Sequence, residues 1–143
     1  MCTASVIPSL PCCNVHTVPY FCKVPVVIQG KSCCGIFDTG AQVSLITAST
    51  VQRLALGDQV SLSLMRIHSF GHILSSRGKI DTIVSFPSCS STWSLSFVVV
   101  DDSAMSCCLL FGADALRRLC CQIDYGSRCL CIPCNSEVSL VPF

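Results

Sequence analysis

Residues 35–46 read Gly-Ile-Phe-Asp-Thr-Gly-Ala-Gln-Val-Ser-Leu-Ile, which places an acidic turn directly between two apolar runs. The tripeptide Asp38-Thr39-Gly40 is weak evidence by itself, because all three residue types are common in turns. Its flanks are more informative, since a carboxylate at the edge of a hydrophobic core costs free energy unless it is paired or hydrogen-bonded. Gly40 lets backbone amides approach that carboxylate closely. We therefore take Asp38 as a candidate catalytic residue.

A second apolar stretch lies far along the chain from this turn. Residues 109–116 read Leu-Leu-Phe-Gly-Ala-Asp-Ala-Leu, so a strand-like run leads through a glycine into a helical pattern. Asp114 stands near the predicted start of that helix, where a negative charge is favourable. We expect Asp114 mainly to stabilise the helix N-terminus.

These two stretches together resemble the retroviral-type, or retropepsin-like, aspartic proteases. The relevant branches are the polyproteins of long-terminal-repeat retrotransposons and the cellular domains of the DNA-damage-inducible type. In that family an Asp-Thr/Ser-Gly-Ala loop carries the catalytic aspartate, and a later strand ending apolar-apolar-Gly, followed by a helix, packs beneath it. The resemblance covers residues 20–132. It implies a mainly β fold, a closed acid-protease barrel with two short helices, active as a two-fold symmetric homodimer.

The resemblance also implies roles for individual residues. It assigns Asp38, Thr39 and Gly40 to the catalytic loop, and a set of neighbours and flap residues to substrate binding. That substrate-binding set is Ala41, Gln42, Phe70, Gly71 and His72. Two departures stand out: Gln42 and Ala113 replace the acidic residue and arginine that pair in the lentiviral enzymes, and the flap has fewer glycines.

The number of Asp-Thr-Gly motifs bears on the mechanism. Among the other acidic residues, none is followed by Thr-Gly or Ser-Gly. A second catalytic carboxylate must then come from a second copy of the chain, across a two-fold axis. Two close carboxylates share one proton, so that one acts as general base for water while the other polarises the peptide carbonyl. This chemistry needs neither a metal nor an organic cofactor, and its substrate is a peptide or polyprotein, such as that of a retroelement.

Composition excludes several other classes of protein. The 143 residues suit one domain, and 51% hydrophobic against 12% charged residues is enough for a core. The net charge of +1 argues against a partner bound through phosphate neutralisation, so no nucleic acid is expected. The best apolar stretch, residues 95–100, is far shorter than the roughly 20 residues that span a bilayer. With no recognisable signal peptide, we expect an intracellular, cytoplasmic location and no membrane partner.

Fourteen cysteines raise the question of disulfides or zinc. Without a secretory signal we expect most of them to be reduced and to pack as small hydrophobic residues. Cys131 and Cys134 form a Cys-x-x-Cys pair, and Cys12, Cys13 and His16 add further ligand types, so a zinc module is an alternative. It is disfavoured because no second pair has matching spacing.

The hydrophobic pattern predicts many short strands and two helices. Strands are predicted at 20–30, 31–37, 43–46, 60–70, 79–86, 93–100, 107–111, 121–124 and 128–132. Helices are predicted at 48–56, capped by Thr47, and at 113–119. Residues 71–78 are predicted to form the flexible, solvent-facing tip of a long hairpin. We divide the chain into a leader or linker (1–19), a protease domain (20–133) and a C-terminal tail (134–143).

One alternative function shares the same fold. A catalytically silent retropepsin-like domain could serve as a dimerisation or protein-binding module. The intact Asp38-Thr39-Gly40 motif disfavours it, because a binding module has no need of that particular carboxylate.

Overall fold

The computed structural model describes residues 22–69 and 71–143. It begins with an antiparallel hairpin of β1 (Cys22–Ile28) and β2 (Lys31–Phe37), in register from Cys22↔Phe37 to Ile28↔Lys31. The turn uses Gln29 and Gly30, both with positive φ, as the mirror-image turns of tight hairpins require. The strand predicted at 31–37 is confirmed, as is the part of the strand predicted at 20–30 that the structure describes, and β2 leads directly to Asp38.

Six strands close into a barrel. Besides the first hairpin it contains β3 (Leu45–Thr47), β7 (Gly78–Ser85), β8 (Thr92–Val100) and β9 (Leu109–Phe111). The strands follow the order β1-β2-β9-β3-β8-β7, and pairing of β1 with β7 completes the ring. A short strand, β4 (Val60–Ser61), pairs with Lys79 and Ile80 near the start of β7. The molecule is therefore mainly β, with the closed barrel that the sequence predicts.

Aromatic rings fill the barrel beneath Asp38. Phe37 and Phe111 stack with ring centroids 4.3 Å apart, and Phe97 meets Phe111 edge-on at 5.5 Å. Side chains of this size each contribute roughly 1.5–3 kcal/mol when fully buried. Because Phe37 ends β2 and Phe111 ends β9, this stack fixes the two strands on which the Asp38 loop rests.

Two short helices flank the barrel. Helix α1 (Ala48–Arg53) starts at Thr47, whose side chain accepts a hydrogen bond from the amide of Thr50. Helix α2 (Ala113–Leu119) follows Gly112 and ends at Cys120, which adopts the left-handed conformation. Both predicted helices are confirmed, although α1 is shorter than predicted. Brief 3-10 turns lie at Gly57–Gln59 and Asp102–Ala104.

The segment predicted as a flexible tip is instead largely a second hairpin. Strands β5 (Arg66–Ser69) and β6 (His72–Ser75) pair with each other and with no strand of the barrel. Most residues over 71–78 are exposed, as predicted for a solvent-facing tip, but residues 72–75 form a strand because Ile67 and Leu74 pair across the hairpin and pack on a hydrophobic cluster that includes Ala41. Those contacts give the tip enough apolar burial to hold strands.

The C-terminal residues form a three-stranded sheet of β10 (Gln122–Asp124), β11 (Cys129–Cys134) and β12 (Glu137–Pro142). The strands predicted at 121–124 and 128–132 are confirmed as β10 and β11, which pair antiparallel. The segment interpreted as a tail contains β12, which pairs along all of β11 and buries Val141. Sequence reasoning missed this strand, and the division of the chain into leader, domain and tail stays a prediction.

The described residues include both free cysteines and one disulfide. Nine are free, while Cys89 and Cys134 form a disulfide between the β7–β8 connection and the end of β11. Cys134 is therefore bonded elsewhere and is not available to pair with Cys131 as a metal-binding motif. The described part of the chain contains no group of three or more potential metal ligands. Cys12, Cys13 and His16 lie outside the described residues.

Candidate active site

Asp38 lies where β2 ends, and its side chain is only 2% exposed. Its amide donates a hydrogen bond to the carbonyl of Phe111 (2.9 Å), which ties it to the end of β9. Its carboxylate oxygen Oδ1 accepts a hydrogen bond from the amide of Gly40 (2.8 Å). The loop thus supplies the polar partner that a buried carboxylate needs.

The residues after Asp38 make a tight turn. The amide of Ala41 donates to the carbonyl of Asp38 (3.2 Å), while Thr39 and Gly40 are exposed. A Cβ atom at Gly40 would lie 3.2 Å from the Asp38 carboxylate oxygen, a tight contact that glycine avoids. Ala41 is buried and Gln42 is exposed. Thr39, Gly40 and Gln42 therefore present an accessible edge beside the buried carboxylate.

Ser44 and Asp114 form a link between the residues after Asp38 and α2 that the sequence analysis did not predict. Ser44 is 1% exposed, and both its amide and its hydroxyl donate to the carboxylate of Asp114, at 3.1 and 2.6 Å. Asp114 was expected mainly to stabilise the start of α2, and it does accept the amide of Ala115 there (2.7 Å). The sequence signal was a serine within an apolar strand pattern, since a buried hydroxyl requires a partner.

The flap residues lie on the β5–β6 hairpin. Gly71 is exposed at the turn with φ +78°, a conformation that glycine adopts without strain. His72 pairs with Ser69, so it shares a face with Ile67, which is buried against the cluster containing Ala41. His68 and Ile73 point to the opposite face. Phe70 lies outside the described residues.

The negative charge of Asp38 contributes to the raised pKa of two other groups. The pKa of the Cys107 thiol is raised mainly by burial, and the charges of Cys108 and Asp38 add to this effect. The pKa of Tyr125 is raised by burial first, then by Cys22 and Asp38. Burial is the larger cause for both groups, and the charge of Asp38 is a minor one.

Comparison with solved structures identifies the fold. The retroviral protease-like domain of Ddi1 from Leishmania major matches with 29% identity over 85% of this chain and 93% of that domain, with a TM-score of 0.65. EIAV protease, solved in complex with the inhibitor HBY-793, matches with 18% identity over 78% of this chain and 97% of its own, at a TM-score of 0.56.

A third match extends the same result. A retropepsin-like aspartic protease from Rickettsia conorii has 14% identity over 83% of this chain and 79% of its own, with a TM-score of 0.50. No protein-family model matches the chain, and comparison with curated proteins gives no match. The resemblance read from the two motifs is confirmed at the level of the fold: the barrel, helices and hairpins are retropepsin-like.

No helix in the described part of the chain is long and apolar enough to cross a membrane. The expectation of a cytoplasmic location stays a prediction.

Proposed function

We propose that this retropepsin-like chain is an aspartic endopeptidase in which Asp38 from two copies forms the catalytic pair. The observation that carries the proposal is the Asp38 carboxylate itself. It is almost fully buried, yet it lies on a loop with an exposed edge and accepts an amide hydrogen bond from Gly40. A turn aspartate with only a structural role has no need of such burial beside an open edge.

In the proposed dimer, one Asp38 is ionised and the other holds the shared proton. The ionised carboxylate takes a proton from water, whose oxygen attacks the carbonyl carbon of the peptide. The protonated carboxylate donates its proton to the carbonyl oxygen, and a tetrahedral intermediate forms. As the intermediate collapses, the carboxylate that took the proton from water gives it to the leaving nitrogen, the C–N bond breaks, and a hydroxyl of the intermediate returns a proton to the other carboxylate. Thr39 and Gly40 complete the loop that holds the pair in place.

The proposed substrate is a segment of polypeptide lying between this loop and the β5–β6 hairpin. The exposed edge of Gln42, the neighbouring Ala41, and the hairpin residues Gly71 and His72 are its proposed contacts, together with Phe70. We propose further that the substrate is a retroelement polyprotein and that the enzyme acts as a cytoplasmic homodimer. No metal, cofactor, membrane or nucleic acid takes part in this mechanism.

The alternative is a silent dimerisation or protein-binding domain with the same fold. The fold is common to both functions, since a fold alone does not fix activity. The two functions differ in a single measurable property, the hydrolysis of a peptide bond.

The test is cleavage of a fluorogenic peptide library by the wild type and by Asp38→Asn. Asn is nearly isosteric and can still accept the Gly40 amide, but an amide cannot act as a general base. We expect cleavage by the wild type, inhibition by a statine-type transition-state mimic, and loss of at least about 10³-fold in Asp38→Asn. Asp58→Asn, which changes an exposed carboxylate in the Gly57–Gln59 turn, is the matched control and is expected to keep full activity.

A folded wild-type dimer that cleaves nothing would favour the silent module. Turnover in Asp38→Asn close to that of the wild type would overturn the assignment of Asp38.

A further inference from the structure

The loop that carries Asp38 is attached to β9 and α2 at four points. The amide of Asp38 donates to the carbonyl of Phe111, and the carbonyls of Ala41 and Gln42 accept from the amides of Ala113 (2.7 Å) and Asp114 (3.3 Å). All three are backbone hydrogen bonds, which do not depend on the identity of a side chain. The fourth attachment, at Ser44, is the one that uses side chains.

Ser44 joins three groups at once. Its hydroxyl donates to Oδ1 of Asp114 (2.6 Å) and accepts from the amide of Gly112 (2.9 Å). Its own amide donates to Oδ2 of Asp114 (3.1 Å). Both carboxylate oxygens and the hydroxyl are therefore used, and no buried side-chain oxygen or nitrogen among the described residues lacks a partner.

The backbone approach at this point leaves little freedom for the loop to move. A Cβ atom on Gly112 would lie 2.6 Å from the carbonyl oxygen of Val43 and 3.0 Å from that of Ala41. The chain before α2 is thus in direct contact with the segment that follows Asp38. A segment of six residues connects the Ser44–Asp114 link to Asp38.

We propose that Ser44 and Asp114 are positioning residues for Asp38, which fix the height and orientation of its loop rather than merely the start of α2. This inference rests on the proposed function. The link acts through the loop and touches no substrate. Its effect is on the rate of the chemical step, because two carboxylates that share a proton across an axis tolerate little displacement, and a misplacement of about 1 Å can cost roughly 100-fold in rate.

The test is steady-state kinetics on Ser44→Ala, measured per folded dimer, with amide hydrogen exchange of residues 38–44 as a second readout. We expect kcat to fall by about 10- to 100-fold with KM changed less than about two-fold, and exchange in the loop to rise. Ser44→Thr keeps the hydroxyl and is expected to restore most of kcat.

The matched control is Ser96→Ala. It also removes a serine–aspartate hydrogen bond, to Asp81, but on the exposed surface of the β7–β8 pair. It is expected to leave kcat and loop exchange unchanged. If Ser44→Ala does not fold, Asp114→Asn is the milder variant, since it keeps one acceptor oxygen while placing an amide nitrogen opposite a donor of Ser44.

The outcomes separate this inference from the proposed function. A lowered melting temperature in Ser44→Ala with wild-type kcat would show a purely structural link and overturn the positioning role. Equal losses in Ser44→Ala and Ser96→Ala would also overturn it. A folded wild-type dimer without peptidase activity would instead overturn the proposed function, and the positioning role with it.

Discussion

At the scale of single residues, the region around Asp38 depends on how closely two backbone segments approach each other. Gly112 shows this most directly, because its Cα faces the carbonyl oxygens of Val43 and Ala41. Backbone atoms held in strands and helices cannot move aside as a flexible side chain can. The glycine is therefore required by space and not by its φ angle.

We expect Gly112→Ala to destabilise the protein by about 1–3 kcal/mol, because the new methyl group overlaps the carbonyl of Val43. Gly57→Ala is the control, since a Cβ at that position meets nothing within 4 Å. Urea unfolding measures both. Similar unfolding midpoints for the two variants would show that the loop yields at no cost, contrary to this prediction.

Asp38 and its turn could be predicted from the sequence because a charged residue between apolar runs is unusual. The role of Asp114 could be predicted only in part. A local argument finds the helix N-terminus, but the partner Ser44 lies directly before β3, and only the barrel brings the two together. A serine within an apolar run signals that a partner is needed, but the identity of a partner 70 residues away has no local signal, and for this reason the Ser44–Asp114 link was missed.

At the scale of elements, the β5–β6 hairpin differs most from its prediction. Periodicity gave strands on both sides of the tip, and glycines at 71 and 78 suggested a loop between them. Residues 72–75 form a strand because they pair with β5 and because Ile67 is buried against the cluster with Ala41, and both are tertiary effects. β12 was missed for a similar reason, since its pattern gains meaning only beside β11.

We expect Ile67→Ala to release this hairpin. Ile67 is 3% exposed, whereas Ile73 on the opposite face is 57% exposed, so the two positions form a matched pair of isoleucines on one hairpin. Truncation at a buried site costs about 2–5 kcal/mol, while truncation on the surface usually costs less than about 0.5 kcal/mol. Amide exchange in residues 66–75 should therefore rise in Ile67→Ala and stay unchanged in Ile73→Ala. Equal protection in both variants would mean that the cluster does not hold the hairpin.

At the scale of the whole molecule, buried thiols couple stability to pH. Burial is the main cause that raises the pKa of Cys22 to about 12, and those of Cys33 and Cys121 to about 11. Their ordinary value is 9.0. Below that value both the folded and the unfolded chain hold these protons, so the contribution is fully present. Above it the unfolded chain loses its protons first, which favours unfolding.

The free energy of unfolding should therefore fall as the pH rises from about 9 towards about 12. Cys22→Ala removes one of the three thiols and should show a shallower fall over the same range. Urea titrations at several pH values measure the effect, with a reductant excluded so that the Cys89–Cys134 disulfide stays intact. If the free energy of unfolding of the wild type did not change between pH 9 and about 12, the thiols would not be buried as the structure describes.

Assembly is the property on which the proposed activity depends most. The chain carries one Asp-Thr-Gly motif and few charges, and several large apolar side chains stay exposed in a single copy. On β12, Val138 and Leu140 are 61% and 58% exposed on one face of the sheet. Association with a second copy would cover such surface and would also supply the second carboxylate. We therefore expect a dimer at micromolar concentration.

Sedimentation and dilution kinetics together test this expectation. If each copy holds half of the catalytic pair, specific activity must fall on dilution in step with the fraction of dimer. Asp38→Asn should dimerise at least as well as the wild type, because it removes the repulsion between two carboxylates at the axis while leaving the rest of the surface unchanged. Dimerisation and activity are then separable: the variant would be dimeric and inactive, and the diluted wild type monomeric and inactive. A species that is monomeric at high micromolar concentration and fully active would contradict this prediction. It would require a second catalytic carboxylate within one chain, whereas no acidic residue other than Asp38 is followed by Thr-Gly or Ser-Gly.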